Sequence, residues 1–279
     1  MIVSFMFEST IFAHILLGAI QGLTEFLPIS SSGHLILAHQ LLGTIGNLDL
    51  AFDALLHFAT ASAIVIYFWK DIYVLICSTP VIPKKIFSQQ KFSCNEEVVL
   101  ALIAGTIPAV ILGLILEETM ATLFRNPLLV AGALIFGSVV MFAAERYSGW
   151  LTQFTSVAYG WRRGFVIGLF QSLALIPGMS RSGMTISAGM LFGMTRGEAA
   201  RFGFLLGVPI LLGAGAKQAL ELGIAEITMQ MVAGTVTAFV VALLVIHLLL
   251  KFLQNNTLYV FIIYRLILAA GIVLTVTIF

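Results

Sequence analysis

The sequence predicts an all-α integral membrane protein of six transmembrane helices and two re-entrant helical hairpins, arranged as an inverted-topology repeat. Three observations predict it. Hydrophobic residues make up 60% of the chain and charged residues 10%, where soluble domains carry roughly 25% charged. Apolar runs close to the ~20 residues that cross a bilayer as a helix recur along the chain. Two further apolar regions are broken at their middles by Pro, Gly and clustered Ser, and they resemble each other.

The first broken region covers about 11–43 and is interrupted at FLPISSSG. Backbone N–H and C=O groups left bare in lipid are costly, so irregular backbone at membrane depth survives only inside protein or beside a wet cavity. The two halves are therefore expected to form a re-entrant hairpin. Full spans are expected at about 51–69, 97–116 and 127–144. The second broken region, about 161–193, is interrupted at IPGMSRSG and is read as a second hairpin. Spans at about 202–220, 228–250 and 258–278 complete a single polytopic membrane domain over 1–279.

At an offset of 150 residues the broken regions align Gly18 with Gly168, Gln21 with Gln171, Ser30 with Ser180, Ser32 with Ser182 and Gly33 with Gly183; Gly43 aligns with Gly193, and Phe52 with Phe202. Apolar matches are easy in such a chain, but paired Gln, Ser and Gly are not. Two repeats follow, about 11–144 and 161–279. Each is one hairpin and three spans, and since three is odd the second enters the membrane upside down relative to the first. The charges agree. Lys70, Lys84, Lys85 and Lys91 share one expected side with Arg146, Arg162, Arg163, Arg196, Arg201 and Lys251. The opposite side offers Arg125 and Lys217 beside Glu117, Glu118, Glu221 and Glu226. By the positive-inside rule the Lys/Arg-rich side is cytoplasmic. The first hairpin then enters from outside, the second from the cytoplasm, and their Ser-rich tips meet near the midplane.

A net charge of +1 leaves no basic stripe to neutralise phosphates, which argues against a nucleic-acid partner. Cys77 and Cys94 match no metal-site spacing. The start of the chain lacks the basic region and small-residue cleavage site of a signal peptide.

The tips carry the chemistry. The first reads QGLTEFLPISSSGH, with Gln21 and Glu25 on one helical face at i, i+4, then Ser30, Ser31, Ser32 and His34. The second reads PGMSRSGMT, with Ser180, Arg181, Ser182 and Thr185. Ionisable groups at membrane depth are costly and mark function. Ser and Gly ahead of a half-helix leave backbone N–H groups to cradle an anion, and a guanidinium offers a planar fork for phosphate oxygens. Asp53 and His57 form a further i, i+4 pair that either backs the site residues or is structural, the structural reading being preferred, and His14, His39 and His247 are read as interfacial or packing residues.

With these residues in view the chain resembles the undecaprenyl-diphosphate phosphatase family of the bacitracin-resistance type. Gln21 and Glu25 meet its [E/Q]-x-x-x-E motif, Ser30 through His34 its Ser-rich Gly-His motif, and Pro177 through Thr185 its PGxSRSxxT motif. The resemblance covers nearly the whole length. It implies a multi-pass enzyme of the bacterial inner membrane, open to the periplasm, that removes the terminal phosphate of undecaprenyl diphosphate and so regenerates the lipid carrier of cell-wall synthesis. The residues then take roles: Arg181, Ser180, Ser182 and Thr185 hold the diphosphate, with Gln21, Ser30 and Ser32 beside them. Ser31 activated by His34 is the preferred nucleophile, with direct attack by His34 or by water left open, and Glu25 orients the imidazole or binds metal. The resemblance also implies a divalent cation, Mg²⁺ or Ca²⁺, for which Glu25 is the one clear carboxylate because Gln21 fills the first acidic position. A homo-oligomer is left open. The rival reading is a lipid-phosphate transporter or flippase, since inverted repeats with broken helices are also transporter architecture.

Overall fold

The structure, a computed structural model, describes residues 11–42, 47–123, 126–148, 159–222 and 227–278. The segment before Ile11, with Gly43, Arg125 and Glu226, lies outside the described residues, as do the side chains of Glu117, Glu118 and Glu221. All regular structure among the described residues is helical: α1 (Ile11–Thr24), α2 (Ser31–Leu42), α3 (Asn47–Tyr67), α4 (Trp69–Ser78), α5 (Ile82–Phe87), α6 (Cys94–Leu123), α7 (Pro127–Arg146), α8 (Trp161–Leu173), α9 (Arg181–Leu191), α10 (Arg196–Leu222), α11 (Met229–Leu253) and α12 (Tyr259–Ile278).

Five helices are long and apolar enough to cross a bilayer: Cys94–Leu116, Pro127–Arg146, Arg196–Lys217, Met229–Asn255 and Tyr259–Thr277. The first expected span is different. It ends at Tyr67, where the chain bends by 78° into α4 around Phe68, so a sixth span exists only if that bent pair is counted as one. Large apolar side chains face outward along these helices; Leu114 and Ile115 are 68% and 69% exposed, and Ile267 is 67% exposed. A water-soluble protein does not present apolar faces of that extent, and lipid is the solvent that accepts them. The chain is a multi-pass membrane protein.

The two broken regions are each a pair of short helices. At 14 and 12 residues for α1 and α2, and 13 and 11 for α8 and α9, none reaches the ~20 residues of a full crossing. They dock in a matched way. Helix α1 lies against α11, and α8 lies against α6. At each crossing a glycine meets a glycine, Gly18 on Gly234 and Gly168 on Gly105, and a Cβ on Gly18 or Gly168 would strike the partner's carbonyl. Small residues let backbones approach where lipid supplies no hydrophobic drive between helices.

Ion pairs gather the expected cytoplasmic positions at one end. Arg196 at the start of α10 binds Glu145 at the end of α7 at 2.9 and 2.5 Å, and the same carboxylate accepts the Leu258 N–H ahead of α12. Arg201 binds Asp71 of α4 at 2.8 Å.

Candidate active site

The two hairpin tips fold alike at atomic detail. Ser30 and Ser180, equivalent at the 150-residue offset, have φ of 75° and 71°, a region that non-glycine residues seldom enter. In each case the hydroxyl caps the following half-helix. Ser30 Oγ accepts from Gly33 N at 3.3 Å, and Ser180 Oγ from Gly183 N at 3.1 Å. Each hydroxyl also meets the serine two residues on, Ser32 at 3.3 Å and Ser182 at 3.1 Å. The strain of a left-handed serine persists where surrounding structure holds it, and such strain clusters at functional sites.

The tips are bolted together. Gly178 N donates to Ser30 Oγ at 3.1 Å and Ser182 Oγ donates to the Leu27 carbonyl at 3.0 Å. Arg265 of α12, fully buried, locks the junction from behind. Its guanidinium donates to Pro28 O in one tip at 3.3 Å and to Gly178 O in the other at 3.0 Å, and to Leu134 O and Ser138 Oγ of α7 at 3.2 Å each. The sequence reading missed Arg265. Its signal was visible, one cation in the middle of an otherwise apolar span, which marks a buried partner set.

Glu25 is the centre of the polar cluster and is 5% exposed. One oxygen, Oε1, accepts from Arg181 Nη2 at 2.6 Å. The other, Oε2, accepts from Ser31 Oγ at 2.7 Å and from Gln21 Nε2 at 2.9 Å. His57 Nδ1 lies 3.4 Å from Oε2 and 3.0 Å from Gln21 Nε2. Because Gln21 can offer only N–H groups to a carboxylate, the same amide presents its other proton to His57 Nδ1, which assigns the ring proton to Nε2.

A cavity of about 360 Å³ opens over this cluster, lined by Glu25, Ser31, Ser32, Ser180 and Arg181 at the tips, with His57 from α3 and Gln171 from α8. Its remaining wall is apolar, with Ala54 of α3, Ala109 of α6, Leu211 of α10 and Leu175 beyond α8 among the lining residues. Arg181 lies flat against Gly207 of α10, where a Cβ would overlap its Nη1. Nη2 is committed to Glu25, while Nε and Nη1 are buried without a partner.

The expected site residues divide into those that converge on the cavity and those that do not. Glu25, Ser31 and Arg181 converge, Gln21 stands behind Glu25, and Ser30 both lines the cavity and caps α2. His34 is not joined to Ser31. It is turned away, with Nδ1 on the Ser30 carbonyl at 2.7 Å and Nε2 on the Tyr264 hydroxyl at 2.7 Å, stacked parallel to that ring. The cause is competition for partners: Ser31 Oγ is taken by the Glu25 carboxylate, while both ring nitrogens of His34 are held by the Ser30 carbonyl and Tyr264. Ser182 and Thr185 are spent on structure, Ser182 on Leu27 and Thr185 Oγ1 on its own helix at Arg181 O, 3.0 Å, beneath Gly203. The expected Asp53 and His57 pair does not form; Asp53 binds His39 Nε2 at 3.0 Å, and His57 turns to Gln21 and Glu25. Among the polar cavity residues, His57 was expected chiefly as a structural partner of Asp53, and Gln171 only as the counterpart of Gln21 in the repeat.

The divalent cation finds no cage in these side chains. Among the described residues no three His, Cys, Asp or Glu side chains form a metal-holding group, and both oxygens of Glu25 already accept from a guanidinium, a hydroxyl and an amide.

Fold and site together define a class: a helical multi-pass membrane protein whose polar centre is built where two broken helices meet. The chain belongs to the family described as Bacitracin resistance protein BacA, whose profile matches residues 14–271. Among similar proteins, one from Trichlorobacter lovleyi is 42% identical over 262 residues, covering 92% of this chain and 93% of its own. One from Moorella thermoacetica is 40% identical over 264 residues, 95% and 97%, and one from Desulforudis audaxviator is 37% identical over 262 residues, 94% and 96%. All three are named undecaprenyl-diphosphatase.

Proposed function

We propose that this protein hydrolyses undecaprenyl diphosphate to undecaprenyl phosphate and inorganic phosphate in the bacterial inner membrane, and so contributes to cell-wall synthesis and bacitracin resistance. The names of its relatives support the activity. The observation that carries it for this chain is the joined Ser31, Glu25 and Arg181, a hydroxyl, its proton acceptor and an anion-binding guanidinium in one cavity. A 55-carbon tail exceeds a cavity sized for a small ligand, so the diphosphate head occupies it and the tail leaves past the apolar wall into lipid.

The two paired half-helices act as re-entrant hairpins between six spans, counting the bent pair as one, in an inverted repeat with the site open to the periplasm. The shared capping geometry of Ser30 and Ser180 and the matched glycine crossings support the duplication. The helix N-terminus at Ser31 and the unpaired donors of Arg181 serve the terminal phosphoryl oxygens, where charge spreads in the transition state. Ser31 Oγ attacks that phosphorus as its proton passes to Glu25 Oε2, and the bond to the bridging oxygen breaks, releasing polyprenyl phosphate with the electron pair. Water then attacks the phosphoserine; as the bond from phosphorus to Ser31 Oγ breaks, Glu25 returns its proton to that oxygen, and the water's second proton leaves with inorganic phosphate. His57, against the same carboxylate, is placed to relay the proton, a role the Ser31 to His34 arrangement does not supply. A divalent cation, where it takes part, comes with the oxygens of the diphosphate.

Phosphate release from C55 diphosphate by the purified protein in detergent micelles tests the reading. Turnover by wild type, with loss in Ser31→Ala and Arg181→Ala, is expected; substrate movement seen only in sealed vesicles, without phosphate release, would overturn it in favour of a carrier.

A further inference from the structure

Gln171 stands in the second hairpin where Gln21 stands in the first, yet the two amides live differently. Gln21 has Glu25 four residues on and braces it. The equivalent position after Gln171 is Leu175, so Gln171 has no carboxylate to hold. It is 3% exposed at the end of α8, and both Nε2 and Oε1 are buried without a hydrogen-bond partner. It lines the same cavity as Arg181, whose Nε and Nη1 are also unpartnered. Buried polar groups are normally satisfied, because leaving one unpaired forfeits its hydration. Three unpartnered donors, Gln171 Nε2 and Arg181 Nε and Nη1, belong to two side chains that line one cavity, and an oxyanion is a ligand that accepts from all three.

We infer that Gln171 is a substrate-binding residue that holds the terminal phosphoryl group of the diphosphate together with the unpaired donors of Arg181. The inference rests on the phosphatase reading above. The Gln171 N–H donates to a phosphoryl oxygen beside the guanidinium, and its carbonyl accepts from a protonated phosphoryl oxygen or a water carried with the head. A neutral amide suits this place. It adds a donor without adding a second positive charge that would retain the phosphate product.

The experiment uses the full-length protein in micelles, with farnesyl diphosphate and C55 diphosphate as substrates and orthophosphate as inhibitor. Gln171→Leu, similar in volume and apolar, is expected to raise KM about tenfold or more with kcat changed less than about threefold, and to raise the inhibition constant of orthophosphate in parallel. The same variant, without substrate, is expected to melt at or above the wild-type temperature, since it deletes unpaired polar atoms. Gln171→Glu is expected to lose more affinity, because a carboxylate repels the diphosphate. A KM within twofold of wild type in Gln171→Leu would overturn the inference, as would a lowered melting temperature of the substrate-free variant, which marks a structural brace. A raised KM with an unchanged orthophosphate constant would also overturn the assignment to the terminal phosphoryl. Gln171→Met serves as a second variant if Gln171→Leu does not fold. Failure of wild type to release phosphate would instead defeat the phosphatase reading itself.

Discussion

Arg181 Nη2 donates to Glu25 Oε1 at 2.6 Å across 156 residues of chain. The pair joins the two hairpin tips, and its residues are 12% and 4% exposed at their side chains. Each tip alone would carry an uncompensated charge away from water; together they leave two guanidinium nitrogens for an anion. The pairing is what turns two polar breaks into one site.

Arg181→Lys is expected to lower kcat/KM by about 100-fold, near the ~3 kcal/mol upper range for a hydrogen bond to a charged group. An ammonium cannot hold Glu25 and face phosphate oxygens with separate edges of one plane. Steady-state phosphate release checks this, and activity near wild type would remove the fork from the mechanism.

Gly207→Ala should reproduce that loss without touching a polar side chain, because its methyl would occupy the place of Arg181 Nη1. A fall in activity of about 10-fold or more is expected from a displaced catalytic group. Gly213→Ala on the same helix, where a Cβ meets nothing within 4 Å, is the control and should remain active.

Removing Arg265 should act on stability first. Arg265→Met strands the carbonyls of Pro28 and Gly178, and each buried group left unpaired costs about 1–3 kcal/mol. A clear drop in melting temperature of the detergent-purified protein is expected. An unchanged melting temperature would mean that the tips do not depend on this lock.

At Ser30 the usual preference should reverse. Alanine and glycine both lose the cap to Gly33 N, but glycine adopts φ near 75° freely, and a left-handed non-glycine residue costs of order 1–3 kcal/mol. Ser30→Gly should therefore melt above Ser30→Ala. The reverse order would show that no strain is held there.

For the imidazoles, His57→Ala is expected to slow turnover more than His34→Ala, since His57 faces Glu25 and the cavity while His34 is held by Tyr264. Equal rates in both variants would exclude a proton relay through His57.

Much of this protein is decided by one-dimensional pattern. Apolar length specifies spans because a bilayer sets a fixed thickness, and α6, α7, α10, α11 and α12 appear close to where hydropathy places them. The polar breaks and the recurrence of Ser30 and Ser180 at a fixed offset mark the site region, because polar residues at membrane depth need a reason. Partnership was not legible. The sequence spacing that suggests Ser31 with His34 and Asp53 with His57 is local, whereas each of these side chains was claimed by a nearer group that folding brought in: Glu25 for Ser31, Tyr264 for His34, His39 for Asp53, Gln21 and Glu25 for His57. Arg265 and Gln171 gained their meaning the same way, one by reaching both tips and the other by having nothing to reach. Hydropathy and spacing act along the chain and survive in the sequence. Hydrogen-bond choice depends on which side chain arrives within about 3 Å, and only the packed tertiary structure decides that.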